Sequence, residues 1–311
     1  MICITENESI CQNKTAVALG IFDGVHLGHQ KVLKQAVEYS HDNIKPAVFT
    51  FNTDSVTYKS NGRLEMLLTN KDKLEKFSEM GIEYSYSPEF YKLKDMSAQD
   101  FVRKVLKEKL NACCAVCGDD FHFGKNASAD AGLLREIGRT YDIEVFAVKQ
   151  LSVDHEFISS TEIRKYIKQG KISKANKMLG YNYGYNLAVE HGYERGRTWN
   201  FPTINQTIPE NLVLPKFGVY CSKAIIDGKE YMGVTNIGVK PTVEVDTKPL
   251  AETYIIDYEG DLYGQKIKLE LCEFVRPEIK FDSFEELRAE IQRNTDFTVN
   301  YFKSKDKNMK G

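Results

Sequence analysis

No segment of this chain approaches the roughly 18 consecutive apolar residues that a membrane-spanning helix needs. The opening MICITENESICQNK lacks a basic start followed by an apolar run, so no secretory signal is visible. Charge of one sign is missing too: 42 Lys and Arg stand against 44 Asp and Glu, a formal net charge of −2. A chain so close to neutral has no global field to hold a nucleic-acid backbone, and no basic stripe or series of stacking aromatics stands out. The seven cysteines (Cys3, Cys11, Cys113, Cys114, Cys117, Cys221 and Cys272) are odd in number and scattered. They do not read as a disulfide framework, which places the protein in a reducing, cytoplasmic setting. Cys114-Ala-Val-Cys117 is formally a C-x-x-C, yet no second ligand pair follows at zinc spacing. The surrounding ACCAVC reads as a buried strand in which cysteine packs as a small hydrophobe. The sequons at Asn13, Asn126 and Asn205 carry no meaning in such a compartment. There is no internal repeat and no low-complexity segment.

What remains is ordinary globular composition, 42% hydrophobic and 28% charged, over 311 residues. At about 150 residues per domain that length predicts two domains. The first half alternates strand and helix patterns. Thr15–Phe22 and Pro46–Phe51 read as buried strands, ACCAVC as the next, and Ile143–Val148 as the last. Between them Val32, Leu33, Ala36 and Val37 recur on one helical face. Thr69 opens a helix that Gly81 is placed to end, Ser97–Asp100 opens another, and a helix is expected over 131–139. Strands alternating with helices predict a parallel sheet covered on both faces. Two short helices, Thr161–Gln169 and Ser173–Leu179, precede a join near residue 182, after which strands follow one another directly. VYCSKAII and KEYMGVTNIG flank an Asp227-Gly228 turn, the signature of a hairpin. AETYIIDY and QKIKLELCEFV follow, predicting an antiparallel barrel or sandwich. Ser283-Phe-Glu-Glu286 is a capping box opening a final helix with Leu287, Ile291 and Phe297 inward.

Two blocks carry chemistry. Gly20-Ile-Phe-Asp-Gly-Val-His26-Leu-Gly-His29 joins the first strand to the first helix. Gly24 and Gly28 let backbone approach a ligand, and the helix start presents unpaired N–H groups and a positive dipole end. Two imidazoles three residues apart add donors able to stabilise charge on a transferring phosphate. The same residues also describe a tight turn with two surface histidines. Ile158-Ser-Ser-Thr-Glu-Ile-Arg164 sets hydroxyls at a helix start with an Arg one turn in, a cradle for polyphosphate or only a cap. The second block, His191-Gly-Tyr-Glu-Arg-Gly-Arg-Thr-Trp-Asn-Phe-Pro-Thr-Ile-Asn205, combines two glycines, two arginines and the oxygen donors Thr203 and Asn205, which suit a hard cation.

GIFDGVHLGH, CGDDFHFG (Cys117–Gly124) and ISSTEIR, in that order, resemble the FMN adenylyltransferase module of prokaryotic bifunctional riboflavin kinase/FAD synthetases. The glycine/arginine loop with Pro-Thr-Ile-Asn205, together with Phe217–Tyr220, Asn236–Thr242 and Glu252–Asp257 running into Asp261–Gly264, resembles the riboflavin kinase module of that family. The resemblance implies a Rossmann-like HxGH nucleotidyltransferase domain with a parallel sheet over 1–182. It implies a six-stranded antiparallel β-barrel with a terminal helix over 183–311. In the first, His26 and His29 would be catalytic, binding ATP phosphates and stabilising the reacting α-phosphate. Gly20, Phe22, Asp23, Gly24, Gly28 and Asp120 would line the nucleotide, and Ser160, Thr161 and Arg164 would hold its leaving end. Phe51 would lie on the flavin side. In the second, Glu252 would be the catalytic base, Thr203 and Asn205 would hold Mg²⁺, and Gly192, Gly196 and Arg197 would cover ATP. Arg276 would lie near the flavin. Where the family usually reads F-D-P-H-P, this chain has Phe51-Asn52-Thr53-Asp54-Ser55. It also has Ala129, Leu187 and Asn200 where family glycines are usual.

The expected function is therefore phosphorylation of riboflavin to FMN followed by adenylylation of FMN to FAD with release of pyrophosphate, both from Mg·ATP. The alternatives are a riboflavin kinase with a weakened or inactive adenylyltransferase domain, and a non-catalytic flavin- or nucleotide-binding regulator. The expected partners are riboflavin, FMN and ATP, with no nucleic acid and no membrane, in a monomer or weak homo-oligomer.

Overall fold

A computed structural model describes residues 1–5, 12–52, 65–190, 202–239 and 248–309. The chain divides into two compact units, Met1–Ser160 and Thr161–Gly311.

The first unit is built on six parallel strands. In chain order they are β1 (Ile2–Ile4), β2 (Lys14–Leu19), β3 (Ile44–Phe49), β4 (Tyr84–Tyr86), β5 (Ala112–Gly118) and, beyond two small strands, β8 (Glu144–Val148). Their spatial order is β1-β4-β3-β2-β5-β8, every neighbouring pair parallel. The small strands β6 (His122–Phe123) and β7 (Ala129–Asp130) form a hairpin of their own, as do β9 (Ser152–Val153) and β10 (Glu156–Phe157). Because side chains alternate along a strand, β2 feeds two cores. Val17 and Leu19 pack with Ala47, Phe49, Ala115 and Cys117 on one face. Ala16 and Ala18 pack with Val48, Cys114 and Val116 on the other. Burial on both faces is what a parallel sheet requires, and it explains why the strands read as continuous apolar runs. Helix α1 (Leu27–Tyr39) covers the second face with Val32, Leu33 and Ala36, joined by Phe77 of α2 (Asn70–Glu79). Thr69 caps α2 by accepting from Asp72 N at 3.1 Å, and Gly81 at φ +89° releases the chain after it. The first face is covered by a helix over Ala131–Arg139 and by one that begins at Ala98 and continues, π-helical in winding, over Phe101–Lys109. Burial pushes the thiols of Cys114 and Cys117 up to about 12, so this C-x-x-C is inert packing.

The second unit opens with the helices at Ser160–Lys168 and Ile172–Leu179, the first of which starts on the last residue of the preceding unit. Six antiparallel strands follow: Gly184–Ala188 (β11), Thr203–Thr207 (β12), Gly218–Ile226 (β13), Lys229–Val239 (β14), Pro249–Ile255 (β15) and Lys266–Arg276 (β16). Their order is β11-β16-β13-β14-β15-β12. The outer strands approach through a bridge between Glu190 and Asn205, and Gln206 Nε2 donates to Leu187 O and Ile267 O at 2.7 and 2.8 Å, so the barrel is nearly closed. The β13–β14 turn has Asp227 at φ 49° and Gly228 at φ 75°, both left-handed as a two-residue hairpin of this twist demands. The composition change near 182 marks the first barrel strand, whereas packing divides the chain at 160. The reason is that the two short helices bind the barrel: Ser173 Oγ donates to Glu273 Oε2 (2.5 Å) and Asn176 Nδ2 to Leu271 O (2.8 Å) on β16, and Lys216 N, just before β13, donates to Ile167 O (3.2 Å).

The terminal helix (Phe284–Met309) packs on β13 and β14. Ser283 caps it by accepting from Glu286 N at 3.2 Å, while the Glu286 carboxylate reaches Asp282 N rather than Ser283 N. Phe297 corrects the sequence reading: it is 46% exposed, and the face turned to the barrel carries Asn294 and Thr298 instead. These polar residues find partners there, Asn294 Oδ1 accepting from Arg276 Nε (3.3 Å) and Thr298 Oγ1 donating to Cys221 Sγ (3.3 Å).

Candidate active sites

In the parallel sheet, β3 and β4 lie to one side of β2 while β5 and β8 lie to the other. The carboxyl ends of β2 and β5 therefore form a topological switch point, where open α/β sheets bind ligands. The histidine block sits there. The strand expected to reach Phe22 ends at Leu19, because Phe22 (φ 53°), Gly24 (φ 76°) and Val25 (φ 38°) are left-handed and fold the chain into a tight turn. Its anchors are specific. Asp23 Oδ1 accepts from Leu67 N at 2.9 Å, Ser160 Oγ donates to Asp23 O at 2.9 Å, and Gln30 Nε2 donates to Val25 O at 2.9 Å.

His26 is the N-cap of α1, its Nδ1 accepting from His29 N at 3.2 Å. The two imidazoles stack with ring centres 3.5 Å apart, and Phe22 meets His29 edge-on at 5.3 Å. A Cβ on Gly28 would come within 3.2 Å of the His26 ring, and one on Gly20 within 3.1 Å of the Phe22 ring. These glycines are thus what lets the rings lie where they do. Burial, then His26, then Lys73 hold the His29 pKa well below the usual histidine value. A neutral His29 offers one N–H donor without a charge of its own. Its Nδ1 is buried with no hydrogen-bond partner among the described residues.

Asp120 follows β5, at the next strand end over, and its carboxylate accepts from Gln150 Nε2 at 3.1 Å. Phe51 follows β3 and packs edge-on between Phe49 and Phe90. Thr161 and Arg164 belong to the second compact unit, Thr161 exposed and Arg164 half-buried. Residues 53–64, which include most of the FNTDS departure, lie outside the described residues.

In the barrel, strand register does the gathering. Asn205 lies directly across from Glu252, Glu252 from Asn236, Asn236 from Val219, and Val219 from Arg276. Directly opposed residues share a face, so Glu252 and Arg276 stand in one row across five strands. Thr203, two residues before Asn205 on that face, donates its hydroxyl to Glu252 Oε1 at 2.9 Å. Asn205 is buried and its Oδ1 accepts no hydrogen bond among the described residues. An orphaned carbonyl oxygen beside a hydroxyl and a carboxylate is a donor set that fits Mg²⁺. Arg276 is held in place: Nε meets Glu290 Oε1 at 2.9 Å, Nη1 donates to Pro277 O at 3.0 Å, and the guanidinium lies over Phe281. Gly192, Gly196 and Arg197 lie outside the described residues.

Two residues were given no role from the sequence. Asn236 opens the Asn236–Thr242 block noted above, but its place between Glu252 and Arg276 follows only from the register. Lys73 is fully buried beneath the histidine turn. Its one signal was position, since Lys73 and Phe77 lie four residues apart on the inward face of α2.

A turn bearing stacked histidines at the switch point of a parallel sheet, followed in the same chain by a carboxylate-bearing six-stranded barrel, defines a two-unit nucleotide-dependent transferase. Residues 8–162 match the FAD synthetase family and residues 179–302 the riboflavin kinase family. The bifunctional riboflavin kinase/FMN adenylyltransferase of Listeria monocytogenes is 35% identical over 305 residues, 96% of each chain. Those of Bacillus subtilis (33% identical, 94% of this chain and 93% of that one) and Escherichia coli K12 (31%, 91% of each) are similar along their lengths. This chain belongs to the bifunctional riboflavin kinase/FMN adenylyltransferase family. A solved structure described as a macrolide-efflux protein from Streptococcus pneumoniae has the same fold, with TM-score 0.85 and 28% identity over 96% of this chain and 98% of that one. Among the described residues of the present chain, no helix is long and apolar enough to cross a membrane.

Proposed function

We propose that the barrel, over 183–311, converts riboflavin to FMN and that the α/β domain, over 1–182, converts FMN to FAD. In the first step the 5′-hydroxyl oxygen of riboflavin attacks the γ-phosphorus of ATP, its proton passes to Glu252, and ADP leaves. A hydroxyl is a poor nucleophile until deprotonated, and a carboxylate on a fixed strand can take that proton. Thr203, by donating to Oε1, leaves Oε2 as the oxygen available to the substrate. Thr203 and Asn205 would hold Mg²⁺, which when bound offsets charge on the nucleotide phosphates. Arg276, fixed by Glu290, would face the flavin, and Gly192, Gly196 and Arg197 would cover ATP.

In the second step an FMN phosphate oxygen attacks the α-phosphorus of a second ATP and pyrophosphate leaves. That nucleophile is already ionised near neutral pH, so positioning and charge stabilisation suffice. His26, His29 and the start of α1 would bind the reacting phosphate, with Gly20, Phe22, Asp23, Gly24, Gly28 and Asp120 lining the nucleotide. Ser160, Thr161 and Arg164 would hold the departing end, and Phe51 would lie on the flavin side. We read the protein as cytoplasmic, acting on small molecules rather than nucleic acid, as a monomer or weak homo-oligomer.

The observation that carries this reading is the Thr203–Glu252 hydrogen bond beside an orphaned Asn205 oxygen, on a chain that also carries the stacked histidine turn. One incubation of riboflavin with Mg·ATP, followed by separation of the flavins, tests it. FMN and then FAD are expected. Riboflavin left unchanged ends the reading.

A further inference from the structure

The Lys73 side chain rises from α2 with no exposure to solvent, at the carboxyl end of the parallel sheet. A lysine ammonium has three N–H donors, and three oxygens lie within hydrogen-bond reach of this one. They are Phe51 O at 2.8 Å, Thr50 Oγ1 at 3.1 Å and, at a longer 3.5 Å, Ile21 O. Thr50 Oγ1 in turn donates to Ile21 O at 2.8 Å, closing a small ring of bonds. Ile21 lies in the turn after β2, immediately before Phe22, whose ring edge meets His29. Thr50 and Phe51 lead out of β3 into the segment that departs from the family pattern. Burying an ammonium is costly unless it is well bonded, so a lysine kept at this point marks a demand that an apolar residue would not meet.

We propose that Lys73 is a positioning residue for adenylyl transfer: its buried ammonium ties the turn that presents His29 to the first residues after β3, setting the nucleotide and flavin sides of the site with one group. With its ammonium buried against these oxygens, Lys73 acts through the two loops rather than on substrate. Its charge is also felt at His29, whose lowered pKa owes part of its shift to Lys73. This inference rests on the adenylyltransferase reading of the first domain.

The test is steady-state kinetics on the full chain for wild type, Lys73→Met, Lys73→Arg and Thr50→Val. FMN formation from riboflavin serves as an internal measure of the other site. Misplacing reacting groups by about an ångström costs on the order of 100-fold, so Lys73→Met is expected to lower kcat/KM for FAD formation by about that factor. KM should rise for both ATP and FMN, with FMN formation unchanged. Lys73→Arg keeps the charge and should recover part of the loss. Thr50→Val removes one acceptor and should show a smaller loss in the same direction, a readout that stands if Lys73→Met does not fold. Wild-type kcat/KM in Lys73→Met overturns the inference, as does a lower active fraction with both KM values unchanged, which would mark a merely structural lysine. A wild-type chain that makes FMN but no FAD overturns instead the reading beneath it.

Discussion

Glu252→Gln separates the two proposed activities with the least disturbance to the fold. The substitution keeps the side-chain volume and an oxygen at the position of Oε1, so Thr203 Oγ1 keeps an acceptor at its present 2.9 Å. The strand pairing of β15 with β12 and β14 involves only backbone and is untouched. What is lost is the proton acceptor. A positioned general base contributes about 10²–10⁴-fold, or about 2.7–5.4 kcal/mol at 1.36 kcal/mol per tenfold. FMN formation should fall by that factor while FAD formation from supplied FMN stays at the wild-type rate and the thermal midpoint is unmoved. Separation of flavins by chromatography reads both activities from one preparation. A variant that phosphorylates riboflavin within tenfold of wild type would refute the role of Glu252. A variant that loses both activities would show that the two sites are not independent.

His29→Ala should do the reverse, reducing FAD formation at least about 100-fold and leaving FMN formation intact; equal loss of both would refute the assignment. Gly28→Ala sets a Cβ within 3.2 Å of the His26 ring, and the displaced ring should lower FAD formation by about tenfold; wild-type rates would show that the ring position is not critical. The half-buried His29 resists protonation, desolvation being the largest cause, with its pKa below the usual value. As pH falls through about 6.5 the unfolded chain takes up a proton that folded His29 refuses, so stability drops across that window down to the folded pKa. Denaturation midpoints at pH 7.5 and 5.5 should therefore differ less in His29→Ala than in wild type, and equal differences would refute the neutral state.

Periodicity recovered the long elements because burial on one face or two writes itself into alternation and 3.6-residue repeats. It missed β1 and β4, which are three residues each and too short to carry a period. It carried the first strand to Phe22 because Gly20-Ile21-Phe22 is apolar, yet the chain there is already turning through left-handed φ angles. Phe297 was misplaced on hydrophobicity alone, when the barrel offers Cys221 and Arg276 as partners to Thr298 and Asn294. Local chemistry was readable wherever one block held it, as in GIFDGVHLGH. What depended on register was not: nothing local links Asn236 to Glu252, or Lys73 to Ile21, because those contacts exist only after strands and helix have docked.

The two halves answer two nucleophiles of different acidity, and their electrostatics differ accordingly. Attack by a hydroxyl requires a charge that accepts a proton, and the barrel offers a half-buried carboxylate held by Thr203. Attack by a phosphate already bears its charge, so a carboxylate beside it would only repel. The α/β domain instead sets neutral donors over a buried cation: a His29 kept uncharged by burial, by His26 and by Lys73, at the positive end of α1. Only the part of a donor's interaction that grows between the ground state and the transition state adds rate, whatever the charge of the imidazole. A neutral donor, fixed by stacking on His26 and by the Phe22 edge, strengthens its bond as charge builds on the reacting oxygen. Burial does most to keep His29 uncharged, His26 adds to it, and Lys73 contributes least.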